Sequence, residues 1–151
     1  MKFVVFALED QKYALSLSNV ERVIRSVEVT PLPKAPEIVS GIINMQGSIV
    51  PVFNLRKRFR MPEKNIGIED QMIVAKVSSR MVSFGVDQVE GIMEWPREEI
   101  VPHGNIHPEM EYVEGVVKLE NGMIFIHELD RFLSLEEGKK LDNALKKAKR
   151  E

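Results

Sequence analysis

The chain has 151 residues with 21 basic and 23 acidic side chains and no cysteine, so its formal net charge is -2 at pH 7. This length suits one ordinary domain with a core of its own. The lack of cysteine excludes thiolate catalysis, a zinc site with Cys ligands and a disulfide framework, and it fits a reducing compartment. The nearly balanced charge argues against a domain whose main partner is the phosphate backbone of a nucleic acid.

The chain opens with an apolar run at residues 3–8 and an alternating stretch at residues 13–17, separated by polar residues. Together they predict two strands joined by a turn. Ser18 follows as a possible capping side chain, and the apolar residues after it have the spacing of one helical face. The pattern therefore predicts a short helix over residues 18–24.

Residues 30–36 contain three prolines and predict an extended connection, because proline removes a backbone donor and restricts φ. Residues 39–45 and 48–53 then predict two strands around a tight turn. No charged residue occurs over residues 38–55, yet the Gly, Asn, Gln, Ser and Pro in this stretch favour buried strands over a membrane-spanning helix. We therefore expect no insertion into a membrane.

Two further helices are predicted, one in the middle of the chain and one at its C-terminal end. Asn54 is placed to cap a short helix whose Leu55 and Phe59 face inward. The tail, residues 136–151, predicts a charged, lysine-rich helix that docks loosely through a narrow apolar stripe. This stripe consists of Leu141, Ala144, Leu145 and Ala148.

The second half of the sequence repeats the first. Residues 3–24 align with residues 72–93 without a gap, and apolar residues fall on apolar residues along most of this alignment. Residues 39–43 likewise align with residues 113–117. Both halves are therefore predicted to share one order of hairpin, short helix, connection, hairpin and short helix.

The repeat units cover approximately residues 3–60 and 72–133, and each is too small for a robust core of its own. We therefore expect them to pack as a single domain over residues 1–135, followed by the charged helix of residues 136–151. Short strands with regular turn signals, without long β-α-β spacing, predict a mainly β fold built from small barrels.

The sequence offers no convincing arrangement of residues for catalysis. His103 and His107 have the spacing of a metal-binding pair, but the surrounding Gly and Pro residues break any helix, and nothing nearby completes a tetrahedral set. His127 is interpreted as a surface or capping residue rather than a catalytic base. No glycine-rich phosphate loop occurs, so we predict no enzyme, metal or cofactor; a hydrolase with an unrecognised site is kept as a hypothesis.

A basic cluster keeps a second function open, namely binding of single-stranded nucleic acid. Arg56, Lys57, Arg58 and Arg60 surround Phe59, and small barrels bind single strands by stacking bases on aromatic residues above a basic groove. Aromatic residues make up only 7% of the chain, however, and most of them lie at strand positions that should face the core. A solvated basic face is therefore the favoured interpretation.

Four sequence motifs together resemble one known family. The chain opens with Phe-x-x-Phe-x-Leu at Phe3, Val-Glu-x-Val-Ile-Arg begins at Val20, and Val-Asp-x-Val begins at Val86. Residues 39–56 run from an apolar-Gly-apolar strand through Asn-Met-Gln-Gly at a turn to Asn-Leu-Arg. This combination resembles the CheW family of chemotaxis coupling proteins from residue 3 to about residue 135. The resemblance implies two intertwined five-stranded SH3-like barrels with short helices, to which this sequence adds the C-terminal helix.

The resemblance also implies a function without catalysis. CheW proteins are cytoplasmic adaptors recruited to receptor arrays, where they connect the cytoplasmic tips of methyl-accepting chemoreceptors to the regulatory domain of the histidine kinase CheA. The implied receptor-binding groove consists of Val20, Val23, Ile24, Asn44, Met45, Gln46, Val86 and Val89. Val29, Leu32 and Arg56 are the implied residues of a surface facing the kinase. Plain core packing is the alternative for every apolar residue of the groove.

Two positions depart from the pattern of the family. The family turn usually carries arginine where this chain has Gln46, and it commonly carries an acidic residue where this chain has Arg22. If the two positions are in contact, a hydrogen bond from Arg22 to Gln46 would replace an ion pair, with much less dependence on charge.

Overall fold

The structure is a computed structural model, and it describes residues 1–64, 67, 69–77, 80–102 and 113–150, apart from the side chains of residues 149 and 150. No helix of these described residues is long and apolar enough to cross a membrane. The α-helices are α1 (Leu55–Arg58) and α2 (Leu135–Arg150), and short 3-10 helices lie at Leu17–Asn19, Arg97–Glu99 and Leu129–Arg131. The strands are β1 (Lys2–Leu8), β2 (Gln11–Ser16), β3 (Val20–Arg25), β4 (Val39–Met45), β5 (Ser48–Phe53), β6 (Gln71–Val77), β7 (Arg80–Val86), β8 (Gln88–Glu94), β9 (Ile100–Pro102), β10 (Val113–Leu119) and β11 (Gly122–His127).

The strands form two sheets, and each sheet combines strands from both halves of the sequence. One has six strands in the order β8-β1-β2-β11-β10-β9, and the other has five in the order β3-β6-β7-β5-β4. The hairpin β1–β2 thus lies among strands of the second half, and β6–β7 lies among strands of the first half. Each exchanged hairpin pairs in parallel with a strand from the other half of the sequence: β2 pairs with β11, and β7 pairs with β5. This exchange intertwines the two barrels and confirms the mainly β fold, with β9 as a sixth strand beyond the expected five.

Apolar side chains fill both barrels and the space between them. Inside the six-stranded barrel lies a cluster that includes Phe3, Val5 and Trp95, and inside the five-stranded barrel lies one that includes Val52 and Met72. The largest cluster, here called the central core, takes side chains from both sheets and from both helices. Residues of both repeats therefore contribute to one apolar cluster.

A glycine at the same place in each repeat allows each barrel to close. In the five-stranded barrel, the backbone groups of Thr30 and Ile42 exchange two hydrogen bonds of 2.9 and 2.8 Å directly beside Gly41. In the six-stranded barrel, β9 pairs with β10 and passes beside Gly115, whose missing side chain leaves room for the side chain of Ile100 and the backbone of Val101. These are the two glycines that the repeat aligns. The apolar-Gly-apolar motif therefore serves a steric need of barrel closure.

The predicted strands of both halves and the short helix capped by Asn54 are confirmed, since the Asn54 side chain accepts a hydrogen bond from the backbone of Lys57 at 3.0 Å. The helix predicted over residues 18–24 is wrong, and so is its predicted counterpart in the second repeat, where Gln88–Glu94 is strand β8. Only Leu17–Asn19 forms a 3-10 turn, and Val20–Arg25 is strand β3, which pairs with β6. Valine and isoleucine suit a strand, and pairing with β6 outweighs the local helical spacing.

Helix α2 docks on the central core more closely than the expected loose contact. Leu141 is 0% exposed and Ala144 is 2% exposed, and both belong to the central core. Leu145 and Ala148 pack against the same core, so the predicted stripe is the docking face. Ion pairs of Arg58 with Glu137 and of Arg80 with Asp142 join the helix to the barrels.

Candidate functional site

The proposed groove residues come from two edge strands and one hairpin turn. Strand β3 is an edge of the five-stranded sheet, and β8 is an edge of the six-stranded sheet. The turn joins β4 to β5 at the opposite edge of the five-stranded sheet. Val20, Val23 and Ile24 lie on β3, Asn44 and Met45 end β4, Gln46 lies in the turn, Val86 ends β7 and Val89 lies on β8.

Three of these side chains are exposed and available to a partner. Val23 is 38% exposed and belongs to no apolar cluster. Asn44 and Gln46 are exposed at the turn, where the side-chain oxygen Oδ1 of Asn44 accepts a hydrogen bond from the backbone N–H of Gly47 at 2.9 Å. Gln46 has a φ of 53°. With Gly47 at a φ of 90°, these are the positive φ values that a two-residue hairpin turn requires.

Four further residues of the groove are half-buried, and one is buried. Val20 and Val89 occupy equivalent positions in the two repeats, and both pack against the edge of the central core. Ile24 and Met45 both pack against the cluster inside the five-stranded barrel. Val86 is 2% exposed within the central core, so for this residue the alternative of core packing applies.

The two positions that depart from the family pattern are both exposed, and their side chains do not form the hydrogen bond that the sequence allows between them. Arg22 lies on β3 and Gln46 in the β4–β5 turn. Among the hydrogen bonds formed by the described part of the chain, none joins these two side chains. Each of them is therefore presented to solvent separately.

Of the three residues assigned to the kinase-facing surface, two have buried side chains. Leu32 is 8% exposed in the central core, and Arg56 is 7% exposed. Neither side chain is presented to a partner, because the core covers the first and an ion-pair network covers the second. Val29 is half-buried and lines an open cleft together with its exposed neighbour Val27 and with Lys64.

Arg56 is the centre of a network that sequence reasoning did not identify. Its Nη2 atom donates to Oδ1 of Asp87 at 2.7 Å, and its Nη1 atom donates to the carboxylate of Glu9. The second oxygen of Asp87 accepts the backbone N–H of Glu9 at 2.7 Å. Lys64 lies 3.9 Å from Asp87. Arg56 and Asp87 each belong to a motif that carries the family resemblance, and their presence in these motifs is the sequence signal that could have indicated that they pair.

Both central members of this network are held in their charged forms. Burial by itself would lower the pKa of the Arg56 guanidinium, but its hydrogen bonds and charge interactions with Glu9 and Asp87 outweigh burial, so the pKa is raised. Burial would raise the pKa of Asp87, but the N–H of Glu9 and the Arg56 side chain outweigh it, so this pKa is lowered. The network is thus an ion pair throughout the neutral pH range.

His127 is buried at 5% exposure, so its interpretation as a surface or capping residue is wrong. Its ring stacks on Phe59, with ring centroids 4.4 Å apart, and lies 4.9 Å from the ring of Tyr13. Phe132 packs edge-on against both His127 and Phe59. Burial in this surrounding raises the pKa of Tyr13 to about 12, although the charge of Arg56 opposes the rise. These rings form the aromatic part of the core beneath α1.

The same contacts remove the basis for binding single-stranded nucleic acid at the basic cluster. Phe59 lies within the aromatic part of the core and is not placed for stacking on bases. Arg56 pairs with two carboxylates, and Arg58 forms a bidentate ion pair with Glu137. Most of the cluster's charge is thus matched within the fold, which leaves no aromatic platform above a basic groove at this place.

The described residues likewise bring no metal ligands together. No group of three or more His, Asp or Glu side chains in this part of the chain is placed to hold a metal ion. His103 and His107 lie outside the described residues.

Comparison with known proteins gives one consistent result. The family model described as a CheW-like domain matches residues 2–137. The chain is 30% identical to the chemotaxis protein CheW of Rhizobium meliloti over 138 residues, which cover 90% of this chain and 89% of that protein. It is 29% identical to the chemotaxis protein CheW of Thermotoga maritima, with 85% and 84% of the two chains covered. The crystal structure of the scaffolding protein TtCheW from Thermoanaerobacter tengcongensis superposes with a TM-score of 0.81 at 29% identity, covering 90% of this chain and 94% of that one.

Proposed function

The chain belongs to the CheW family, and from this membership we propose that it is a non-enzymatic adaptor coupling methyl-accepting chemoreceptors to a CheA-type histidine kinase. The observation that carries the proposal is the match of the CheW-like family model to residues 2–137, over the same two intertwined barrels as a CheW scaffolding protein. The adaptor would act in the cytoplasm at membrane-associated receptor arrays. Its contribution is to hold two partners together, so it needs binding surfaces rather than reacting groups.

The receptor surface that we propose is the groove between the two edge strands and the β4–β5 turn. It consists of Val20, Val23, Ile24, Asn44, Met45, Gln46 and Val89, with Val86 forming part of the core behind it. A receptor tip is a helical hairpin, and an apolar groove binds the apolar face of such a helix. The exposed polar side chains of Asn44 and Gln46 at the turn supply hydrogen-bonding groups at the rim.

The kinase surface that we propose includes Val29, which is half-buried, whereas Leu32 and Arg56 are buried. Its neighbour Val27 is 45% exposed, and the two valines lie in a segment without regular secondary structure between β3 and β4. The regulatory domain of CheA has the same fold, so two related barrels would meet here.

The experiment that tests this function measures binding of a receptor signalling fragment and of a CheA regulatory domain, each titrated separately. Val23→Asp places a charge on an exposed groove residue and is expected to weaken receptor binding by about tenfold or more, as loss of an interface hot spot does. Leu119→Asp is the matched control, because Leu119 is 43% exposed at the tip of the β10–β11 hairpin and outside the groove. It should leave receptor affinity unchanged.

Two results would contradict the proposal. If the unaltered protein binds neither fragment, the coupling function is wrong. If Val23→Asp and Leu119→Asp have equal effects on receptor affinity, the groove is misplaced. Urea unfolding of each variant supplies the check on folding, and a loss of cooperative unfolding in Val23→Asp would assign that side chain to the core.

A further inference from the structure

Asp87 occupies an unusual place in the chain path, because it is the single residue between the two sheets at one of their crossings. Strand β7 of the five-stranded sheet ends at Val86, and β8 of the six-stranded sheet begins at Gln88. The equivalent crossing in the first repeat, from β2 to β3, takes the three residues Leu17–Asn19. The crossing at Asp87 is thus the shorter of the two. The backbone conformation of Asp87 alone therefore sets the direction of β8 relative to β7.

Three hydrogen-bonding groups of Asp87, its backbone N–H and its two carboxylate oxygens, are held by other segments. Its backbone N–H donates to the carbonyl of Ala7 on β1 at 3.0 Å. Its two carboxylate oxygens accept from Arg56 after β5 and from the backbone of Glu9 in the β1–β2 turn, both at 2.7 Å. Arg56 in turn pairs with the Glu9 carboxylate. The Arg56 guanidinium therefore connects helix α1 to the β1–β2 turn and to the crossing between β7 and β8.

The ion pair between Arg56 and Asp87 is partly buried and has a defined geometry. The side chain of Arg56 is 9% exposed and that of Asp87 is 26% exposed, so water screens the pair only weakly. A planar guanidinium presents its N–H groups at fixed angles, and here two different nitrogens bind two different carboxylates. Without Asp87, Arg56 keeps only the exposed carboxylate of Glu9, and without Arg56, Asp87 keeps only the more distant Lys64, so either removal weakens the charge pairing in a partly buried site.

We propose that Arg56 and Asp87 are positioning residues, whose ion pair sets the placement of the two barrels and thereby of the two edge strands that line the receptor groove. Val89 lies two residues beyond Asp87 on β8, and its N–H is further held by the side chain of Gln71 on β6 at 2.7 Å. Val20 lies on β3 of the other barrel, at the equivalent position. The pair thus acts on partner binding through the spacing between these strands. This inference rests on the proposed receptor-binding function.

A distance measurement on the free protein tests the positioning role directly. Because the chain has no cysteine, Lys76→Cys on β6 and Lys118→Cys on β10 introduce two unique sites for spin labels on exposed positions, one in each barrel. In this background the distance between the labels should have one narrow distribution. Arg56→Gln and Asp87→Asn should broaden or shift it.

Arg58→Gln is the matched control for both variants. Arg58 also lies on α1 and also forms an ion pair of 2.7 Å, but with Glu137 on α2 and away from the crossing. The control should leave the distance distribution unchanged. It should also retain receptor-fragment affinity, while Arg56→Gln and Asp87→Asn lose about tenfold, a change typical of coupling between sites.

The outcomes separate this inference from the proposed function. Failure of the unaltered protein to bind a receptor fragment overturns the function, while the label distances still decide whether the pair positions the barrels. Narrow, unshifted distances in Arg56→Gln and Asp87→Asn overturn the positioning role. If both variants lose cooperative unfolding, the pair serves the stability of the whole domain and the inference is also overturned. Asp87→Asn preserves the shape of the side chain and one acceptor oxygen, so it is the decisive variant if Arg56→Gln alone does not fold.

Discussion

A Cβ atom on Gly41 would lie 2.2 Å from the carbonyl oxygen of Thr30, much closer than any real pair of such atoms. The contact is with backbone that itself hydrogen-bonds to Ile42 in closing the five-stranded barrel. The obstacle cannot move away as a flexible side chain would. Glycine is therefore required at this position for steric reasons.

Gly41→Ala should destabilise the protein by about 3 kcal/mol, at the upper end of the usual cost of overpacking, because the closing strand must shift. Gly115→Ala should have a smaller effect in the same direction. There the nearest atom, at 2.6 Å, belongs to the side chain of Ile100, and the backbone oxygen of Val101 is 3.0 Å away. Urea unfolding of the three proteins measures both changes, and a wild-type midpoint for Gly41→Ala would show that the barrel is not closed at this point.

Gly138→Ala is expected to change stability in the opposite direction. Gly138 lies within helix α2, and a Cβ built there would meet no atom within 4 Å. Alanine is favoured over glycine in a helix interior by about 0.8 to 1 kcal/mol, so the variant should unfold at a higher urea concentration. A decrease would mean that α2 is not helical at this residue in solution.

The docking of α2 is tested by two leucines at different exposures. Leu141→Ala should cost about 2 to 5 kcal/mol, because it opens a cavity in the central core. Leu141 is 0% exposed, whereas Leu135, at the start of the same helix, is 89% exposed. Leu135→Ala should therefore change the free energy of unfolding very little. Equal effects of the two substitutions, measured by urea unfolding, would contradict the docked helix.

The Glu137 carboxylate should make part of the stability dependent on pH. Burial tends to raise its pKa, but the backbone N–H of Ser134 and the Arg58 side chain outweigh burial, so the pKa is lowered in the folded state. Since the folded pKa lies below the unfolded value of about 4.3, the contribution is complete above that value and is lost as pH falls through the folded pKa. The loss of stability caused by Glu137→Gln should therefore be largest near neutral pH and should shrink below about pH 4. Urea midpoints at pH 7 and pH 3 check this, and a difference independent of pH would contradict it.

The strands were predictable because their signals are local. Alternating or continuous apolar residues and turn residues such as Gly47 recur in both repeats, and the Asn54 cap acts within one helical turn. The apolar spacing from Ser18 to Ile24 fits a helical face equally well, so the sequence alone predicts a helix there. Only its pairing with β6, more than 45 residues away in sequence, makes it strand β3.

The sequence by itself determined the mainly β class, the internal repeat and, through its motifs, the membership of the CheW family, because each depends on residue types at fixed short spacings. The tertiary structure decided which hairpin enters which barrel, that His127 is buried, and that Arg56 pairs with Asp87 instead of facing a partner. These contacts join residues that are distant along the chain, and burial and charge pairing depend on all the segments that meet at one place. The spacing of residues along the sequence therefore does not predict these contacts.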